Sequence, residues 1–243
     1  MHPLSLSPIS KKADVALDPQ FEASIATLAD AVIAEDEKEF KPGLESFQVH
    51  ANKLRQQVRD SMIAFQQKFQ RGYDCISQWL EAKKIDNPQI SQDNLAILDD
   101  SDTFLSQISE GKYIYQILGI SDAALINFYK AAYDLAQNKD YQKSRDAFFF
   151  LISIAPDVAD FWLGLSICTT QLKEYEEALE ASLRTIELNP VCQAAYQNAL
   201  FIYIATNAPE KAQALLAKGL EIAQEYNDEE LKILLRNFDS QGE

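Results

Sequence analysis

Glycine and proline are scarce, 7 and 8 in 243 residues. A chain of short strands joined by tight turns needs more of both, because hairpin turns draw on glycine's positive backbone angles and proline's fixed one. Long stretches rich in Ala, Leu, Glu, Gln and Lys are present instead, and these side chains lose little freedom in a helix. The fold class is therefore all-α. Histidine is scarcer still: His2 and His50 are the only two. A serine or cysteine nucleophile is left without an imidazole base. No glycine-rich phosphate loop occurs, and no paired His or Cys stands at metal spacing. Catalytic residues, metal ligands and cofactors are accordingly expected to be absent, and the chain reads as no enzyme.

Positive charge is also in deficit, with 22 Lys and Arg against 37 Asp and Glu and a formal net charge of -15. Phosphate binding needs a basic face, so nucleic acid is not an expected partner. The three cysteines, Cys75, Cys168 and Cys192, are odd in number and far apart. That excludes a disulfide framework or zinc cluster and predicts buried thiols in a reducing cytosol. The opening "MHPLSLSPISKK" lacks the apolar run of a signal peptide, and no uninterrupted apolar stretch approaches the ~20 residues of a membrane helix. A cytoplasmic protein without a membrane partner is expected. Sequential acidic pairs, Glu176-Glu177 and Asp99-Asp100, read as solvated charges.

What the chain does have is a period. The aromatics Phe128, Trp162 and Tyr196 recur at one constant step, and Leu135, Thr169 and Tyr203 follow them at the same step. Ser144, Ala178 and Ala212 are small, Pro156 and Pro190 close the first two copies, and "NKDYQKS", "LKEYEEA" and "NAPEKA" occupy equivalent turns. A period of this length with these positions resembles the tetratricopeptide repeat, a helix-turn-helix unit. The small residues belong at the crossing of the two helices, and the aromatics in the wedge toward the next repeat. Departures are Thr169 for an aromatic, Ser182 where Phe148 and Leu216 stand, and Gln224 for the last proline. After the third copy, "NDEELKILLRNF" offers Asn227 or Asp228 as a cap and an apolar stripe of Leu231, Leu234, Leu235 and Phe238 that covers the open end of the stack.

Before the repeats the organisation changes. Residues 1–18 carry serines, prolines and lysines without periodicity and are predicted to be disordered. Asp18-Pro19 opens a helix with Phe21, Ile25, Leu28 and Val32 as its stripe, which ends before Lys41-Pro42-Gly43. A long amphipathic helix follows to about Lys84, with Gly72 as a point of bending or loosening. The predicted domains are thus a helical extension at 19–84, a linker and short helix at 85–118, and a tetratricopeptide domain at 119–243. Its repeats cover about 125–158, 159–192 and 193–226 and form a right-handed superhelix, preceded by a helical hairpin or long helix and closed by a capping helix.

In such a stack the first helix of each repeat lines the concave side. Its non-packing positions here are Ile126, Tyr129, Tyr133 and Ala136, then Asp160, Leu163, Ile167 and Thr170, then Ala194, Gln197, Phe201 and Ile204. Lys and Arg are absent from all twelve, so the face cannot grip a carboxylate and instead suits an extended segment with spaced aliphatic or proline side chains. Tyr129, Tyr133, Leu163, Ile167, Phe201 and Ile204 are the candidate peptide-binding residues.

The stretches "LGISDAALINFYKAAYDLAQNKDYQKSRDAFF" and "FWLGLSICTTQLKEYEEALEASLRTIELNP" resemble the translocator chaperones of bacterial type III secretion, the class built of three tetratricopeptide repeats. The likeness covers residues 117 to about 226. It implies a bacterial cytoplasmic chaperone that keeps a membrane-inserting translocator or effector soluble by holding a short proline- and leucine-containing motif in the concave groove. The groove tyrosines of that class match Tyr129 and Tyr133, while a third aromatic falls at Ala136. The class has a short N-terminal arm, often used for dimerisation, where about a hundred residues precede the repeats here. A homodimer through the N-terminal helices is therefore set against burial of those helices on their own chain. The alternative function is a tetratricopeptide scaffold joining components of an assembly.

Overall fold

The structure is a computed structural model that describes residues 19–38, 40, 46–88, 91, 93–94, 97 and 100–239. The predicted disorder at 1–18, the cap at Asp18, the stop at Lys41-Pro42-Gly43 and Asp99 lie outside the described residues. Every described element is a helix: α1 (Pro19–Glu37), α2 (Phe47–Lys83), α3 (Ser101–Ser109), α4 (Ile114–Ile117), α5 (Asp122–Gln137), α6 (Tyr141–Ile154), α7 (Ala159–Gln171), α8 (Tyr175–Leu188), α9 (Gln193–Ala205), α10 (Pro209–Glu225) and α11 (Glu229–Asp239). They fall into two compact units, residues 1–66 and 67–243.

In the first unit α1 pairs antiparallel with residues 47–66 of α2. Arg59 meets Glu22, Arg55 Nη2 lies 3.2 Å from Asp30, and His50 Nε2 lies 2.9 Å from Asp36, so rising numbers on one helix match falling numbers on the other. The buried row is Ile25, Ala29 and Ile33 against Ala51, whereas Leu28 and Val32 are 43% and 37% exposed. The expected stripe is therefore turned by one position. Ala29 and Ala51 are both buried small residues of this seam, and small side chains let helix backbones approach, a packing term that side-chain hydropathy does not weigh.

The second unit repeats in its backbone as well as its side chains. Lys139, Lys173 and Asn207 adopt positive φ angles of 62°, 63° and 54°, one in each inter-helix turn. The amide just after each closes the turn onto the preceding helix: Asp140 to Leu135 O at 3.0 Å, Glu174 to Thr169 O at 2.9 Å, Ala208 to Tyr203 O at 2.8 Å. The step from one turn to the next equals the step between the aromatics. Three helix pairs result, α5–α6, α7–α8 and α9–α10. At their crossings Ser144 and Ala178 are fully buried and Ala212 nearly so, as the repeat frame requires. Phe128 and Tyr196 are fully buried, but Trp162 is only half-buried. Its indole Nε1 donates to Pro156 O at 2.6 Å, and a buried indole needs such an acceptor, so the ring stays at the edge while Phe161 goes inside.

The departures from the repeat are complementary in volume. Between the first two pairs Phe148 lies on Gly164, with its ring where a Cβ on Gly164 would stand, 2.2 Å from Cζ. One step later the same two positions hold Ser182 and Asn198, a small residue opposite a larger one. Asn198 Nδ2 donates to Ser166 Oγ at 2.5 Å, Thr170 Oγ1 at 2.9 Å and Ser182 Oγ at 3.2 Å, while Ser166 and Ser182 are fully buried. The buried hydroxyls are thus satisfied.

Residues 67–83 of α2 close the N-terminal end of this stack. Ile76 and Leu80 are fully buried in one core with Phe128, Phe148 and Phe150, and Phe69 and Tyr73 pack on Phe150 at 4.7 and 5.5 Å between ring centroids. Trp79 Nε1 donates to Asp134 at 2.7 Å, Arg71 Nε to Asp146 at 2.8 Å, and Lys68 pairs with Glu177. Gly72 does not loosen α2, which runs unbroken. It is the place where α2 touches α6, since a Cβ there would lie 2.1 Å from Asp146 O. Nor are the acidic pairs simply solvated: Glu177 is ion-paired and Asp100 Oδ1 caps α3 by accepting from Thr103 N at 3.4 Å. Cys168 is buried, but Cys75 and Cys192 are only half-buried, and all three thiols are free. Asp228 Oδ1 accepts from Leu231 N at 2.8 Å to start α11, which buries Leu231 and Leu235 completely and Leu234 and Phe238 in part.

Candidate functional site

The first helices of the three pairs, α5, α7 and α9, present one residue each at the same register of the repeat: Tyr133, Ile167 and Phe201, which are 52%, 40% and 50% exposed. Large apolar side chains in a row of this kind are not needed by the core behind them, which is closed by Phe128, Leu165 and Leu200 on the other side of the same helices. Ile126, two turns before Tyr133 on α5, and Ile204, one turn after Phe201 on α9, are exposed as well, at 54% and 64%. Contiguous apolar exposure is uncommon on a monomer and marks an interaction surface.

Of the six residues named as candidates, Tyr133, Ile167, Phe201 and Ile204 are exposed, and Tyr129 and Leu163 are half-buried. Tyr129 lies 6.2 Å from Tyr133, 6.1 Å from Phe148 and 5.6 Å from Phe161 between ring centroids, so its ring is fixed by neighbours on its own helix and two others. Burial, then the charge of Asp160, pushes its hydroxyl above the usual tyrosine range. It is a neutral donor at any physiological pH. Leu163 packs against the C-terminal core.

Beside Tyr129 and Leu163, two further positions of the twelve depart from the expectation of an open face. Thr170 is 9% exposed, its Oγ1 donating to Ser166 O at 2.8 Å and accepting from Asn198, so it belongs to the polar seam beneath the face. Ala136 is half-buried against the first core. Asn198 is not among the residues that the repeat pattern singles out. The signal that marks it is the comparison of position 164 with position 198: a glycine is replaced by a side chain whose amide nitrogen lies within hydrogen-bond distance of three hydroxyls. Asp160 is the only charged residue among the twelve and it is exposed.

Among the described residues, no group of three His, Cys, Asp or Glu could hold a metal ion, and no helix is long and apolar enough to cross a membrane. No protein-family model matches the chain, and no curated protein does. Solved structures do. A type III secretion system complex from Aeromonas hydrophila is 15% identical, with a TM-score of 0.51, over 58% of this chain and 98% of that one. The chain has a tetratricopeptide-repeat fold. It is structurally similar to the type III secretion translocator chaperones, among them SycD of Yersinia enterocolitica, 20% identical over 54% of this chain and 96% of that one with a TM-score of 0.47. A chain of the CopN–Scc3 complex is 30% identical over 52% of this chain and 75% of that one, again with a TM-score of 0.47.

Proposed function

We propose that the tetratricopeptide face of this protein holds an extended apolar segment of a secreted translocator or effector, and that the protein is a cytoplasmic chaperone of a bacterial type III secretion system with no catalytic role. The observation that carries the reading is the exposed row Tyr133, Ile167 and Phe201, one residue per repeat and none of them cationic. Adjacent helices pack ~8–10 Å apart. An extended chain advances ~3.3 Å per residue, so a segment laid across the first helices meets one row about every third residue. Each anchor that is fully covered contributes ~1.5–3 kcal/mol before the ordering of the segment is subtracted. Tyr129 serves as the fixed floor beside Tyr133, and its neutral hydroxyl can donate to a backbone carbonyl of the segment. The acidic exterior keeps the complex in solution by charge repulsion.

The test is co-expression with a candidate translocator from the same genome. The client should be soluble only in the presence of the chaperone and co-purify with it at fixed stoichiometry. A client that is equally soluble alone would refute the reading.

A second reading, a scaffold that joins components of an assembly, is favoured by one observation in the first unit. Leu28, Val32 and Val49 remain 43%, 37% and 47% exposed on the helical hairpin, a surface suited to docking or to a homodimer. Sedimentation of the isolated chain distinguishes self-association from docking of another protein.

A further inference from the structure

The last helix, α11, is more than a cover. The step from α9 to α11 is longer than the earlier step, since α10 has 17 residues where α6 and α8 have 14. Once that lengthening is taken into account, Leu231 and Leu235, fully buried, fall where Ala195 and Ala199 are fully buried in α9. The exposed Glu230, Ile233 and Asn237 then fall on Ala194, Gln197 and Phe201, three of the positions by which α9 joins the apolar face. By this correspondence α11 takes the place of the first helix of a fourth repeat and adds a fourth row.

Between the third and fourth rows lies an open pocket of about 320 Å³, lined by Gln197, Glu230, Ile233, Leu234, Asn237 and Phe238. Its floor is apolar, Ile233 is 57% exposed at its mouth, and Glu230 is its only charged residue. Gln193 Nε2 donates to Glu230 Oε2 at 3.3 Å and holds the carboxylate at the rim.

We infer that this pocket is the terminal subsite of the peptide-holding face, taking an apolar side chain of the bound segment with a lysine or arginine beside it that faces Glu230. The inference rests on the reading proposed above and specifies the segment further. Charge selects the occupant. Across all four rows the charged positions are Asp160 and Glu230, both acidic, on a chain of net charge -15. An anionic segment is repelled from such a face and a cationic one is drawn to it. Asp160 stands in the second row and Glu230 in the fourth, so at about three residues per row the two cations of a matching segment are separated by about six residues.

The test uses the full chain and a set of fluorescein-labelled twelve-residue peptides with an apolar residue at every third position and either Lys or Glu near the ends, read by fluorescence anisotropy. Lysine-bearing peptides should bind at least tenfold more tightly than glutamate-bearing ones. Glu230→Lys should reverse that preference, and Ile233→Ser should weaken binding about tenfold, with melting temperatures unchanged because both side chains are exposed. Phe201→Asp, in the third row, should abolish binding of every peptide. If Phe201→Asp abolishes binding while Glu230→Lys and Ile233→Ser change nothing, the terminal subsite is wrong and the peptide-holding face stands. If no peptide binds, or Phe201→Asp is silent, the face itself is wrong and the subsite falls with it. A concentration-dependent dimer dissociated by Ile233→Ser would give the pocket to a second copy of the chain and overturn the inference.

Discussion

Gly72→Ala sets two effects of opposite sign against each other at one atom. In an exposed helix interior the added methyl stabilises by about 1 kcal/mol, because alanine is the better helix former. Here it would stand 2.1 Å from the carbonyl oxygen of Asp146 and 2.8 Å from Cβ of Phe150, where ordinary contact begins near 3.4 Å. Neither neighbour can swing aside. The carbonyl is part of the α6 backbone, and Asp146 is held by Arg71 and Arg145. Relief requires α2 and α6 to part by roughly 1 Å, which loosens Ile76, Leu80 and Phe150 together, and overpacking of this kind costs ~1–3 kcal/mol or more. With a backbone atom as the obstacle the upper end applies, leaving a net loss of about 2 kcal/mol after the propensity gain. In a unit of this size that is a fall in Tm of about 4–8 °C. Thermal and urea denaturation followed by circular dichroism measure it directly. Gly111→Ala is the control, with φ +83° and nothing within 4 Å of the added methyl, so its loss comes from backbone strain alone and leaves helix packing untouched. If Gly72→Ala proves as stable as the parent chain or more so, α2 is not seated on α6 and the account of the N-terminal end of the stack is refuted.

Three further outcomes are expected. Tyr133→Glu should abolish client binding while changing stability by no more than about 0.5 kcal/mol, since the side chain is half exposed and Tyr129, against which it packs, is also held by Phe148 and Phe161; a large drop in Tm would place it in the core. Gly164→Ala should destabilise by ~1–3 kcal/mol through its clash with the buried Phe148 ring, and Phe148→Leu in the same chain should restore part of the loss in urea denaturation. Burial, together with the charge of Asp146, pushes the Cys75 thiol up to about 11 from an ordinary 9.0, so at pH 8 its thiolate is depleted. Iodoacetamide should therefore label it roughly 100-fold more slowly in the native chain than in urea, as read by mass spectrometry; equal rates would contradict its placement.

The fold is legible where the same physical demand returns in every repeat. A helix crossing needs a small residue, so Ser144, Ala178 and Ala212 recur, and the turn before each second helix recurs with them. What escapes are demands met only once. Gly72 looks like a weakness in a helix because the reason for it, the backbone of Asp146, belongs to a different helix far along the chain. Leu28 and Val32 outrank Ala29 on any hydropathy scale, yet Ala29 is the buried residue, since a seam between two helices favours small side chains. Trp162 fits the aromatic position of the repeat but carries a donor that must find Pro156 O. The site divides in the same way. Tyr133, Ile167 and Phe201 follow from a fixed step, whereas Ile233 and Glu230 do not, since α10 is longer and shifts the frame.

The irregularities also fix the order of the stack. Were the repeats identical, any hairpin could dock on any other, and a slipped or swapped assembly would bury nearly as much surface as the native one. Phe148 fits over Gly164 and Ser182 fits beside Asn198, but the exchanged pairs fail in opposite ways. Phe148 against Asn198 overfills the wedge and strips the amide of its hydroxyl partners, while Ser182 against Gly164 leaves a void and reduces the serine to its bond with Ala178 O of its own helix. Each error costs a few kcal/mol, comparable with a large fraction of a domain's net stability. The rows of the apolar face then appear in one sequence only, with Tyr133 at one end and Phe201 at the other. A face that must recognise an extended segment in a set order needs that uniqueness, so the same substitutions that blur the repeat in the sequence define the register of the surface it carries.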